Sequence, residues 1–245
     1  MAMKRGWAFL YVLVAMFGFS GVVKADDLAV IGKATYGGTD YNLIYQADGP
    51  FGPITWLDYT TTAYNTWQNQ DAWAAGLGGD ITVNLDPLYY VTDMDFWTTN
   101  WRLPKTVDGD WVWGCDGSTT GGYNITTSEM GYLYYESLGN LGLYATDGTE
   151  RESGYYGLTK TGPFDNLEPY NYWSETEYSA NLALAWGFCF WSGYQVATNN
   201  GGNLYGLAVR PGQVSAIPEP TTMLLLGAGL IGLAGLGRKK FFKKD

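Results

Sequence analysis

The sequence predicts an α+β domain, an antiparallel sheet carrying two main helices, flanked by an export signal and a C-terminal apolar helix. Three observations predict it. Residues 34–59 read as short strands between glycine and proline turns, with 54–59 alternating apolar and polar side chains. Residues 64–77 and 129–138 repeat apolar side chains at helical spacing. Residues 170–210 return to short apolar runs broken by turns, so strands flank helices rather than alternating with them.

In chain order, residues 34–36 and 41–46 meet across Gly37-Gly38 as a hairpin, and 54–59 follow a Gly-Pro turn as a third strand. The first helix, over 64–77, has an N-cap among Thr60, Thr61 and Thr62 and a stop at Gly76, Gly78 and Gly79. Trp67, Gln70, Ala74 and Leu77 share one of its faces. Residues 105–126, rich in Gly and Asp, read as loop. Thr126 and Glu129 then have capping-box spacing, and Met130, Leu133, Tyr134 and Leu138 form the stripe of a second helix ending at Gly139-Asn140. The runs 182–191, 194–198 and 204–210 are joined by tight turns, which predicts a three-stranded antiparallel meander with 182–191 as a buried central strand.

The ends differ from this body. Residues 1–25 have Lys4-Arg5, an apolar run and Val23-Lys24-Ala25, the pattern of a secretory signal peptide cut by signal peptidase after Ala25. The C-terminus has Pro218-Glu219-Pro220, an apolar run over 223–237, and Arg238-Lys239-Lys240. Fifteen residues make about 22 Å of helix against a hydrocarbon core of about 30 Å, so the run is short for a permanent anchor. Its basic end is expected on the cytoplasmic side and the body outside. The expected division is a signal peptide over 1–25, a domain over 26–212, a linker over 213–217 and a tail over 218–245.

Charge narrows the partners. Setting aside eight basic residues and one acidic residue in the end segments leaves six basic and 23 acidic residues, a net charge of −17. Such a surface repels phosphate backbones, which excludes nucleic acid and favours a neutral glycan or calcium. The chain has no histidine, which removes Ser-His and Cys-His catalytic pairs and His-containing zinc sites. In an exported chain, Cys115 and Cys189 predict one disulfide, with two free thiols as the alternative.

The tail resembles the PEP-CTERM sorting signal, which has the same three parts in the same order. That resemblance implies recognition by an exosortase at the membrane of a Gram-negative-type bacterium, with the mature protein in the envelope, on the outer surface or in the extracellular matrix. In the body, Trp101-Arg102-Leu103-Pro104, Tyr172-Trp173-Ser174 and Ala208-Val209-Arg210-Pro211 resemble the Lcl-type C-terminal domain of exported bacterial proteins. Trp56-Leu57-Asp58-Tyr59 and Trp67-Gln68-Asn69 resemble its longer members. The resemblance covers about 43–211 and extends to C-type lectin-like and formylglycine-generating domains. It implies a C-type lectin-like domain, and that architecture hosts sugar binding, protein binding and oxidase chemistry alike.

The expected function is therefore a non-catalytic surface or matrix domain contacting polysaccharide or an envelope partner. The alternatives are a purely structural matrix component, or an enzyme using the cysteines or a carboxylate pair such as Glu175 and Glu177. Arg102 and Arg210 are read as structural ions paired with carboxylates. Trp111, Trp113, Trp191 and Tyr194 are the aromatics placed to face a ligand. Asp93, Asp95, Asp108, Asp110 and Asp116 offer oxygen ligands for calcium, without EF-hand spacing.

Overall fold

A computed structural model describes residues 28–217, the side chain of Trp97 excepted. The expected signal peptide and the tail, with Pro218, Glu219, Pro220, Arg238, Lys239 and Lys240, lie outside these residues. Among the described residues no helix is long and apolar enough to cross a membrane.

The amino-terminal hairpin forms as expected, β1 (Ala29–Tyr36) pairing antiparallel with β2 (Thr39–Gln46) around Gly37 and Gly38, both at positive φ. β3 (Ile54–Thr60) adds to β2. α1 spans Trp67–Asp80, so its glycines do not stop it; Thr66 is the N-cap and β4 (Ile81–Leu85) follows without a loop. The three threonines expected as caps lie upstream, where Thr61 Oγ1 instead accepts from Gln70 Nε2 and Gly206 N. Gly78 has a packing role. A Cβ there would meet Thr98 O and Thr99 Cα at 2.9 Å, so the missing side chain lets the next helix lie close.

Between β4 and the Trp101 segment come β5 (Tyr89–Tyr90) and a short helix, α2 (Met94–Thr99), capped by Asp93, whose side chain accepts from Phe96 N. β6 (Trp113–Gly114) and β7 (Gly121–Gly122) are minimal strands. α3 (Glu129–Tyr132) is capped by Ser128 accepting from Gly131 N, not by Thr126, and Glu129 is drawn elsewhere. The helix continues as a π-type turn over Leu133–Ser137, with Leu138 N donating to Leu133 O.

After an irregular stretch come β8 (Asn171–Glu177), β9 (Leu184–Cys189) and β10 (Tyr194–Asn199), an antiparallel meander with β9 central. β11 (Leu207–Pro211) does not extend it. It crosses to pair with β3, giving one sheet in the order β11-β3-β2-β1-β4 and a second in the order β6-β7-β10-β9-β8. The expected single sheet is thus two sheets plus a small ribbon in which β12 (Ser215–Ala216) pairs with β5. Among the described strands all pairings are antiparallel except β6 with β7, and an isolated bridge joins Tyr172 and Tyr205 in parallel.

In the first sheet β3, β11 and the second half of β2 are buried on both faces, as strands covered on two sides are, while β1 and β4 are half-exposed. Leu43, Leu57 and Ala208 face a core with Ala74 and Leu77 of α1; Ile44, Trp56, Leu207 and Val209 face a second core with Met130, Leu133, Tyr134 and Phe188. The period of two along each strand sends neighbours to opposite sides. Two buried polar groups hold the irregular stretch against these layers. Asp58 accepts from Asp165 N and Asn166 N, and Asn140 accepts from Thr159 N and Lys160 N. Burial pushes the Asp58 carboxyl up, against those donated hydrogen bonds. In the segment expected as linker, Val214 is buried and Ser215–Ala216 form the last strand.

Candidate functional site: an aromatic trough between the sheets

The crossing from β10 to β11 builds the site. Residues 203–206 run between β8 of the second sheet and the segment that follows β3 of the first, and bond to both. Leu204 exchanges backbone hydrogen bonds with Asn65, Tyr205 N donates to Asn171 O, and Trp173 N donates to Tyr205 O. With its backbone held on both sides, Tyr205 stacks on Tyr170, ring centroids 4.3 Å apart at 19°, and meets Tyr64 edge-on at 5.9 Å.

Three adjoining clefts follow from this. The first, about 420 Å³, is lined by Tyr64, Tyr170, Asn171, Trp191, Asn203 and Tyr205 among others. The second, about 310 Å³, shares Asn171, Trp191 and Leu204 with it and continues along Tyr194 and Tyr123 over β9 and β10. The third, about 340 Å³, shares Tyr170 and Tyr205 with the first and continues past Glu168 and Asn166 to Tyr41 and Tyr59. Shared walls make one elongated trough. Tyr64 is 60% exposed and Trp191 50%, so their faces are open to a ligand. No Lys or Arg lines any of the three clefts.

The expected aromatics divide in two. Trp191 and Tyr194 line the trough. Trp111 and Trp113 are exposed at the β6 edge, where Trp113 begins a run of ring contacts, Trp113–Tyr144–Tyr123–Tyr194, with centroids 5.0 to 6.0 Å apart. Burial, with Tyr194 and Tyr144 adding to it, pushes the Tyr123 hydroxyl up to about 12. Tyr64, Tyr170, Asn171 and Tyr205 were missed. Of these, Tyr170 and Asn171 fall in Glu168-Pro169-Tyr170-Asn171, a distorted form of the lectin-type Glu-Pro-Asn motif, which the sequence lacks.

The cysteines are free thiols, not a disulfide. Register gives the reason. Gly114 pairs with Gly122, Gly122 with Gln195, and Tyr194 with Cys189, so Cys115, Tyr123, Tyr194 and Cys189 fall in one row across the sheet. Three strand spacings separate the cysteine backbones by about 14 Å, twice the roughly 7 Å limit for a disulfide. The same separation removes the cooperating thiols that a formylglycine-generating chemistry requires.

Arg102 is paired with Glu129 at 2.7 Å and lies 3.6 Å from Glu175. Glu175 is therefore part of this cationic cluster, also 3.9 Å from Lys105. Burial pushes its carboxyl up while Arg102 and Lys105 pull it down. Arg210 is fully buried, donates Nη2 to Phe96 O at 3.3 Å and lies over the Phe96 ring, fastening α2 to β11. Burial pulls its pKa down to about 9.

The acidic candidates for calcium lie in separate places. Asp93 caps α2 and Asp95 lies in its first turn. Asp108 accepts from Ser179 N and from Trp186 Nε1 at 2.9 Å; desolvation is the largest single influence on its carboxyl, but the hydrogen bonds it accepts together outweigh it and hold the carboxyl below the usual range. Asp110 O accepts from Thr120 Oγ1, and Asp116 closes a turn onto Ser118. Among the described residues no three acidic or cysteine side chains are grouped to hold a metal.

Comparison with known proteins places one segment. No curated protein and no solved structure matches the chain, so the Lcl-type resemblance rests on the sequence motifs that suggested it. Residues 216–239 match the PEP-CTERM protein-sorting motif. The chain carries a signal for exosortase-dependent sorting to the cell surface, and with it for export to the envelope of a Gram-negative bacterium.

Proposed function

We propose that this protein is a non-catalytic component of the outer surface or extracellular matrix whose trough binds a linear, neutral polysaccharide. The observation that carries the reading is the sharing of walls by three clefts. A chain of sugar rings needs successive subsites, and here Trp191 and Tyr170 stand at the junctions. Aromatic faces give such a ligand apolar contact, and the amides of Asn166, Asn171 and Asn203 offer both donors and acceptors to hydroxyls.

Charge selects within that class. With no basic lining residue and a body at −17, sulfated or uronic-acid polymers meet repulsion rather than pairing. The resemblance to Lcl-type domains supports surface binding in general, while this electrostatic pattern turns it toward neutral polymers.

The test is affinity electrophoresis and calorimetry against neutral glucans, galactans and mannans, with a sulfated polymer as counter-example. Binding to a neutral polymer should weaken about tenfold in Trp191→Ala and in Tyr170→Ala, a loss of about 1.4 kcal/mol each. Preference for the sulfated polymer, or neutral binding indifferent to both substitutions, would refute the proposal.

A further inference from the structure

A second surface, independent of the trough, surrounds the point where the chain leaves the fold. In the β5–β12 ribbon Tyr90 faces Ser215 and Tyr89 faces Ala216, and Ile217 N donates to Leu88 O at 2.7 Å. Cross-strand partners point to the same side and neighbours alternate. Tyr89 packs on the first core, so Leu88, Tyr90 and Ile217 share the outward side, exposed by 63, 45 and 48%. Met94 and Phe96, just beyond in α2, are exposed by 46 and 51%. Single exposed apolar residues are ordinary, whereas this ribbon is apolar on both sides.

The sequence beyond the ribbon says what covers it. The sorting motif begins at residue 216, inside β12, so no free linker separates fold from signal. Only residues 218–222 lie between Ile217 and the apolar run that starts at Met223. Fully extended, that tether spans about 20 Å. Whenever the run sits in a bilayer, the ribbon is held within that distance of the lipid surface.

We propose that the outward face of the ribbon, formed by Leu88, Tyr90 and Ile217, rests on the bilayer at the boundary of headgroups and acyl chains while the tail is inserted. The surface it fits is zwitterionic. Asp86, Asp93 and Asp95 are exposed around it, and neither 86–96 nor 211–217 holds a basic residue, so anionic headgroups gain nothing here. The arrangement also orients the domain. Tyr205 precedes β11 and Ser215 follows it, which puts trough and ribbon at opposite ends of that strand and turns the trough away from the membrane.

The experiment is hydroxyl-radical footprinting of the full chain, one copy per phosphatidylcholine nanodisc, read by mass spectrometry. Leu88 is matched in residue type and exposure by Leu182, 64% exposed in the turn between β8 and β9, and Tyr90 is compared with Tyr155 at 68%. The Leu88-to-Leu182 labelling ratio should fall at least threefold below one, with Tyr90 reduced beyond its smaller exposure. A ratio near one overturns the proposal. So does a ratio that falls only when exosortase is reconstituted in the same disc, which would assign the face to that enzyme.

Discussion

Arg102 and Glu129 close on each other through two parallel hydrogen bonds of 2.7 Å, Nη1 to Oε2 and Nη2 to Oε1. The pair ties three segments. Arg102 exchanges backbone hydrogen bonds with Val209 of β11, and Glu129 Oε2 also accepts from Lys105 N at 2.6 Å. Glu129 is fully buried and Arg102 nearly so. Removing Glu129 leaves Arg102 with Glu175 at 3.6 Å as its remaining carboxylate and takes the acceptor from Lys105 N, so Glu129→Ala should cost up to about 3–5 kcal/mol. Arg102→Lys keeps the charge but loses the fork, and should cost less than Glu129→Ala while still lowering the urea midpoint. A Glu129→Ala midpoint equal to wild type would show the pair to be inert.

Two glycines two residues apart in α1 should respond with opposite signs. Gly76 is exposed and a Cβ there meets nothing within 4 Å, so Gly76→Ala should stabilise by up to about 1 kcal/mol through helix propensity alone. Gly78→Ala gains the same propensity but drives a methyl into the backbone of α2, and should destabilise by about 1–3 kcal/mol. Melting temperatures of the two variants, one above and one below wild type, check this.

Thiol counting decides the cysteine state. Purified without reductant and unfolded in urea, the chain should titrate two thiols, and dithiothreitol should leave the melting temperature unchanged. Burial raises the pKa of both, but Cys189 is buried under the trough and Cys115 is partly open. Alkylation of the native protein should therefore modify Cys115 first. One bonded pair and no free thiol would overturn the register argument.

Alkaline pH should unfold the domain through its tyrosines. Tyr123 is raised to about 12, and burial raises Tyr134, Tyr135 and Tyr172 further still. A group with a raised folded pKa gives stability that is complete below its unfolded value, near 10, and is lost as pH climbs toward the folded one. Each such tyrosine steepens the loss by about 1.4 kcal/mol per pH unit between those limits. Absorbance at 295 nm should show these four ionising together with the loss of tertiary structure. Smooth titration near pH 10 of all tyrosines in a folded protein would contradict the burial.

The sequence by itself determined the address, the acidic body without histidine, the first hairpin, β3, the positions of α1 and α3, and the β9–β10 hairpin of the predicted meander. Each rests on local signals: turn glycines, alternation of period two, helical spacing. Local signals do not name partners. The alternation in 204–210 marks an apolar strand but not the sheet it joins, and β11 was decided by pairing with β3, about 150 residues upstream. β4, β5 and α2 were missed because their strands are short and half-exposed, and because Gly78 reads as a helix stop when it is a close-packing site. The cysteines were even in number and plausible in context, but register set them three strands apart. The trough depended most on tertiary structure. Tyr64, Tyr170, Trp191 and Tyr205 come from loops flanking different strands, and they meet only because residues 203–206 are hydrogen-bonded at once to β8 and to the segment that follows β3.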